Sequence, residues 1–157
     1  MPVDNKAVIQ RWFKEVWNEG REETIDELLA PDAVVVGLGE TEKDVHGPEE
    51  FKHFVRNMRA VLPDLKIHVE ESIAEGDKAV VRVVLEGTHN GDGLGSKATG
   101  RRVKVAGIVI VQLNAGRIVR GWNCWDQLGF LRQIGAAAVR PAPAMDRFLE
   151  PRRKPRA

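Results

Sequence analysis

The chain has 157 residues, 43% hydrophobic and 30% charged, and its 24 basic against 23 acidic side chains leave a formal net charge of +1. That length suits one compact domain, and the composition excludes a disordered or fibrous chain. The charge balance argues against nucleic acid or an anionic membrane surface as partner.

Apolar runs such as residues 107–111 are far short of the ~18 residues that a bilayer-spanning helix needs. Asp4, Asn5 and Lys6 stand where a secretory leader would be apolar, and the single cysteine, Cys124, permits no internal disulfide, so the expected compartment is the cytoplasm.

Asp4 is placed to cap a first helix whose stripe is Val8, Ile9, Trp12, Phe13, Val16 and Trp17 and which stops at Gly20. At this spacing Trp12 and Trp17 read as core. A shorter helix starts near Glu22, buries Ile25, Leu28 and Leu29, and ends before Pro31. Residues 33–38 read as a strand. His46-Gly47-Pro48-Glu49-Glu50 marks a third helix start, with proline in the first turn and two carboxylates near the positive end of the dipole. Its stripe runs from Phe51 and Phe54 to Leu62, and Pro63 ends it.

After Pro63 the period changes to 2. Leu65, Ile67 and Val69 alternate with Lys66, His68 and Glu70; a Gly76-Asp77 turn leads into a second strand from Lys78 to about His89. Residues 91–100 form a glycine-rich loop. Two more strands, 101–113 and 117–125, flank Asn114-Ala115-Gly116, a connection suited to a hairpin with glycine in the left-handed region. Leu128, Phe130, Leu131 and Ile134 supply a last short helix before Gly135. Helices first and then consecutive strands predict an α+β domain over residues 1–135, an antiparallel sheet packed against helices from the N-terminal half. Residues 136–157, with four prolines and six basic against two acidic residues, read as a tail outside the core.

Folding the last strands together on paper places Trp122 opposite Ile108, Cys124 opposite Ala106, and Asp126 opposite Lys104, with His89 facing Arg102 at the same end. One face then presents His89, Ile108, Ile110, Gln112, Trp122, Cys124 and Asp126, an apolar wall with a few polar groups; a slip of one residue would exchange the faces. A carboxylate desolvated in such a pocket has its pKa raised toward neutrality and can take and return a proton; the alternative, that Asp126 caps the helix after it or pairs with Lys104, predicts a low pKa instead. Cys124 reads as a small buried residue. His46, His53 and His68 fall at spacings of no metal motif, and the Gly91, Gly93, Gly95 run precedes a strand rather than the helix a phosphate cradle requires.

Several pieces in this order resemble the SnoaL-like polyketide cyclases of the nuclear transport factor 2-like superfamily. They are Trp17-Asn18-Glu19-Gly20, Gly47 with Phe51 and Phe54, Leu62-Pro63-Asp64, Glu75-Gly76-Asp77, Gly87-Thr88-His89-Asn90-Gly91, Thr99-Gly100-Arg101-Arg102-Val103, Gly116-Arg117-Ile118, Trp122 followed by Asp126, and Gln133-Ile134-Gly135. The resemblance spans about residues 5 to 135. It implies a cone-shaped α+β barrel, frequent homodimers, and no metal or organic cofactor. It also implies that Asp126, after the tryptophan of the last strand, is the general acid and base of an intramolecular aldol closure. The histidine such cyclases place on the preceding strand is absent here, where Gln112, Ile108 and Ile110 stand.

The expected activity is therefore cyclisation of a small, largely apolar carbonyl compound. Asp126 is the catalytic group, His89, Gln112 or Asn123 holds the enolate oxygen, and Trp122, Asn123, Ile108, Ile110 and Phe54 line the ligand. The superfamily reuses this pocket for isomerisation, epoxide hydrolysis, hydroxylation and binding without turnover, so these remain alternatives.

Overall fold

The computed structural model describes residues 3–38 and 43–137. The tail expected at residues 136–157 lies outside the described residues from position 138 onward.

The first helix, α1 (Asn5–Arg11), is capped by the Asp4 carboxylate, which accepts from the Lys6 and Ala7 N–H groups. It runs on as a π-helical segment, Trp12–Asn18, whose wider turn still buries Trp12, Phe13, Val16 and Trp17. Asn18 then clamps the sheet: its Oδ1 accepts from the Ile67 N–H at 2.7 Å and its Nδ2 donates to the Ile67 carbonyl at 2.8 Å. Helix α2 (Glu22–Leu28) leads directly into β1 (Leu29–Val36), and β2 (Val45–His46) precedes α3 (Gly47–Val61), which has proline in its first turn as expected.

Four long strands follow: β3 (Lys66–Glu75), β4 (Lys78–Thr88), β5 (Arg102–Asn114) and β6 (Arg117–Trp125), then α4 (Gln127–Ile134), closed by Gly135 in the left-handed region at φ 78°. The sheet order is β2-β1-β6-β5-β4-β3. All neighbours are antiparallel except β1 and β6, which run parallel, so the sheet is mixed where the sequence predicted antiparallel pairing throughout. The helices cover one face of this curved sheet, and no helix among the described residues covers the other. Between them lies the core, centred on residues with essentially no exposure such as Ile9, Ile25, Phe51, Leu62, Val81 and Val83.

Register corrects the sequence reading. In β4 and β5, Val83 pairs with Gly107 and Thr88 with Arg102, one residue from the expected alignment. That slip turns the odd-numbered residues of β5 inward: Val103, Val105, Val109, Val111 and Leu113 are buried, while Ile108 and Ile110 are 50% and 37% exposed on the outer face. In β6, Ile110 pairs with Trp122 and Ile108 with Cys124, so these two residues also face outward, and Cys124 is exposed rather than buried.

A signal for the right alignment was present in β5. Its odd positions are uniformly apolar, whereas its even positions include Arg102, Lys104 and Gln112. In β6 the inward residues are Gly121, Asn123 and Trp125, a set too polar to identify itself, and a bulge after Ile118 changes the parity again.

Candidate functional site

Between the helices and the inner face of the sheet lies a cavity of about 360 Å³. Helix α3 contributes Phe54 and Met58, and Leu62 follows at its C-terminal end; the strands contribute Ile67, Leu85, Val105 and Trp125; α4 contributes Gln127, Phe130 and Leu131; Leu94 and Gly95 come from the loop after β4. A small chamber of about 20 Å³ shares Trp17, Leu38 and Trp125 with it and reaches inward to Asn123.

Three local features build this wall. Gly107 pairs with Trp125, and a Cβ at that glycine would stand 2.5 Å from the Trp125 ring, so the missing side chain is the seat of the indole. The π-helical segment carries Trp17 to Phe51 and Phe54, with ring centroids at 5.9 and 6.0 Å in edge-on contact. The Arg59 guanidinium, at the far side of α3, donates to the Trp17 carbonyl at 2.7 Å and holds the end of that segment.

The loop after β4 is anchored by His89. This residue is fully buried: its Nε2 donates to the Gly93 carbonyl, and its Nδ1 accepts from the Thr99 N–H and faces the Thr99 hydroxyl, the pattern of the Nε2–H tautomer. Its ring stands edge-on to Phe130, centroids 6.0 Å apart. The anchored loop turns tightly through Leu94 and Gly95, both at positive φ, which delivers the Leu94 side chain to the cavity.

The residues singled out from sequence are thus dispersed. Phe54 is in the wall, and Asn123 borders the inner chamber, with its Nδ2 donating to the Val36 carbonyl at 3.0 Å. His89 lies behind Phe130, not on the wall. Gln112 sits near the opposite end of β5 from Val105, where its amide donates to Asp77 at 2.6 Å and holds that carboxyl below its ordinary value. Ile108, Ile110 and Trp122 belong to the other face of the sheet.

Asp126 falls between two wall residues, Trp125 and Gln127, but is itself exposed. Its Oδ1 accepts from the Gly129 N–H at 2.8 Å, capping α4, and a Cβ on Gly129 would collide with the carboxylate. Its Oδ2 has no hydrogen-bond partner among the described residues.

Sequence reasoning missed Trp125, Val105, Leu94 and Gln127. The first two follow from the true register; the last two sit beside sites that were recognised but lacked any distinguishing pattern. Among the described residues, none in the wall has an ionisable side chain. The arrangement can hold an uncharged, largely apolar molecule, and among the described residues the carboxylate nearest the wall in sequence is Asp126, between Trp125 and Gln127.

Comparison with known proteins agrees with this architecture. The model of the SnoaL-like polyketide cyclase family matches residues 7–134. Aklanonic acid methyl ester cyclase DauD of Streptomyces sp. (strain C5) is 31% identical over 128 residues, covering 80% of this chain and 78% of that protein. Aklanonic acid methyl ester cyclase DnrD of Streptomyces peucetius is 31% identical over the same length, covering 80% of this chain and 87% of its own. The structure of TsrD from Streptomyces laurentii superposes with a TM-score of 0.74 at 30% identity, over 87% of this chain and 100% of that one. With the fold, the largely apolar cavity and these matches in agreement, the chain belongs to the SnoaL-like polyketide cyclase family.

Proposed function

We propose that this protein is a cofactor-independent cyclase that closes a ring in a small, apolar, carbonyl-bearing polyketide by intramolecular aldol addition. The observation that carries the reading is the largely apolar cavity of about 360 Å³, a size suited to a fused-ring ligand, in a chain of this family. Asp126 removes the acidic proton beside one carbonyl, the enolate carbon bonds to a second carbonyl carbon of the same molecule, and the proton returns from Asp126 to the new alkoxide. Oδ2 is the oxygen available for this, since Oδ1 serves the helix cap. Holding both carbonyls in one pose supplies the larger share of the rate, up to about 7–11 kcal/mol, and proton transfer a further ~10²–10⁴-fold.

The assay begins with aklanonic acid methyl ester, the compound in the names of the two Streptomyces relatives. Asparagine retains the cap, so Asp126→Asn is expected to lose about 10²–10⁴-fold in turnover with its melting temperature almost unchanged. Unaltered turnover in that variant would remove Asp126 from the mechanism. A second reading, a binding protein without turnover, is favoured by the exposure of Asp126 and the absence of ionisable groups on the wall among the described residues. A ligand retained and recovered unchanged from the wild-type protein, with no ring closure, would decide for it.

We further infer that the protein works as a homodimer joined through the outer face of the sheet. Val36, Trp122, Ile110, Val80 and Ile73 form one register-aligned row across five strands, and Ile73 is 59% exposed. The surroundings carry both signs, Arg82 beside Glu71 and Lys104 beside Glu86, so a two-fold copy offers a carboxylate for each cation. Light scattering is expected to give twice the chain mass for the wild type and the single mass for Ile110→Lys; a monomeric wild type defeats the inference.

A further inference from the structure

Among the described residues that line the cavity, only Trp17, Trp125 and Gln127 have nitrogen or oxygen in their side chains. Each indole offers one N–H donor and no acceptor, while the Gln127 amide offers two donors and one acceptor. The side-chain polarity of the wall is therefore donor-rich and uncharged. A carboxylate would lose its hydration there with no cation to meet it, and a polyol would leave its hydroxyl protons unpaired. The matching ligand is neutral, rich in carbonyl or ester oxygens and poor in donors.

Gln127 differs from the other glutamines of the chain. The amide of Gln10 donates to Ser72, that of Gln112 to Asp77, and that of Gln133 is tied at both ends to the Lys104 backbone. Gln127 is an exposed residue that lines the cavity, and its amide engages no protein partner among the described residues. Its backbone is fixed as the first residue of α4, directly after the capping Asp126. Being exposed, this amide is open to water, and a ligand carbonyl entering the cavity can take that water's place.

We infer that Gln127 is the positioning residue for the ligand carbonyl, its Nε2–H donating to the oxygen that gains negative charge as the enolate forms beside Asp126. The inference deepens the cyclase reading and rests on it for the catalytic consequence, but its binding part stands separately. A hydrogen bond from the amide strengthens as charge builds on that oxygen.

The test is equilibrium dialysis of 9-fluorenone and fluorene, a neutral ketone and its hydrocarbon counterpart, against the full-length protein. Wild type is expected to hold the ketone more tightly relative to fluorene. Gln127→Leu is expected to lower ketone affinity about five- to tenfold, the worth of one hydrogen bond, without weakening fluorene. Circular dichroism checks that the variant is folded, and the wild-type protein refolded from denaturant serves as the control. A ketone-to-hydrocarbon ratio unchanged in Gln127→Leu overturns the inference, as does failure of the wild type to bind either probe. If the ratio falls as expected while wild type closes no ring on the aklanonic ester, the cyclase reading fails and the carbonyl-binding role of Gln127 remains.

Discussion

The inner and outer faces of the sheet are built from nearly the same residue types and have opposite fates. Inside, Val103, Val105, Val109 and Val111 alternate along β5 and are at most 5% exposed. Outside, Ile108 and Ile110 occupy the positions between them on the same strand and remain open. Apolar character therefore does not assign a face. Two features do: the charged and amide residues that share a parity with the outer set, and Gly107, whose missing side chain admits Trp125 on the inner side alone.

The largest contrast comes from placing one charge on each face. Val105→Asp buries an unpaired carboxylate in the cavity wall and is expected to remove about 4 kcal/mol or more, close to the entire margin of a small domain. Ile108→Asp, three positions along the strand, is expected to change monomer stability by no more than about 0.5 kcal/mol. Urea unfolding of the two variants at equal protein concentration checks the pair, and similar losses at both would mean that the faces are misassigned.

A smaller effect tests the seat of Trp125. Gly107→Ala puts a methyl group against the indole in a packed region, with an expected loss of about 1–3 kcal/mol and weaker binding of apolar ligands. The matching change outside, Ala106→Gly, should leave ligand binding unaltered.

The smallest effect concerns the strand end that holds the loop anchor. The Thr88 hydroxyl and N–H both donate to Asp64, at 2.7 and 2.6 Å, and these bonds hold the Asp64 carboxyl below its ordinary value, with Arg102 adding to them. A carboxyl whose folded value is depressed stabilises the fold fully above the unfolded value near 4, and that contribution drains away as pH falls through the lowered one. Asp64→Asn should therefore be less stable than wild type at pH 7, with the gap closing below about pH 4; a gap independent of pH would exclude this linkage.

Much of the architecture could be read before any coordinates. The Asp4 cap, the Pro48 helix start, the Gly76-Asp77 and Ala115-Gly116 turns and the Gly135 stop each declare themselves within a few residues, and each stands where expected. The site was far less legible. Phe54 was found because a helix stripe faces one way along its length. His89 was noticed for its chemistry, but burial and two engaged ring nitrogens make it the pin of a loop. Gln127, next to the residue that drew attention, carried no pattern at all.

Most helix starts and stops and the turns between consecutive strands follow from capping groups, glycine conformations and proline, which act over a few neighbouring residues, whereas the parallel pairing of β1 with β6 does not. Which side of a strand meets the cavity depends on its alignment with the next strand, and a one-residue shift or a bulge reverses it. That choice was made between segments far apart in the chain, by Trp125 settling over Gly107 and by Arg102 and Lys104 remaining in water.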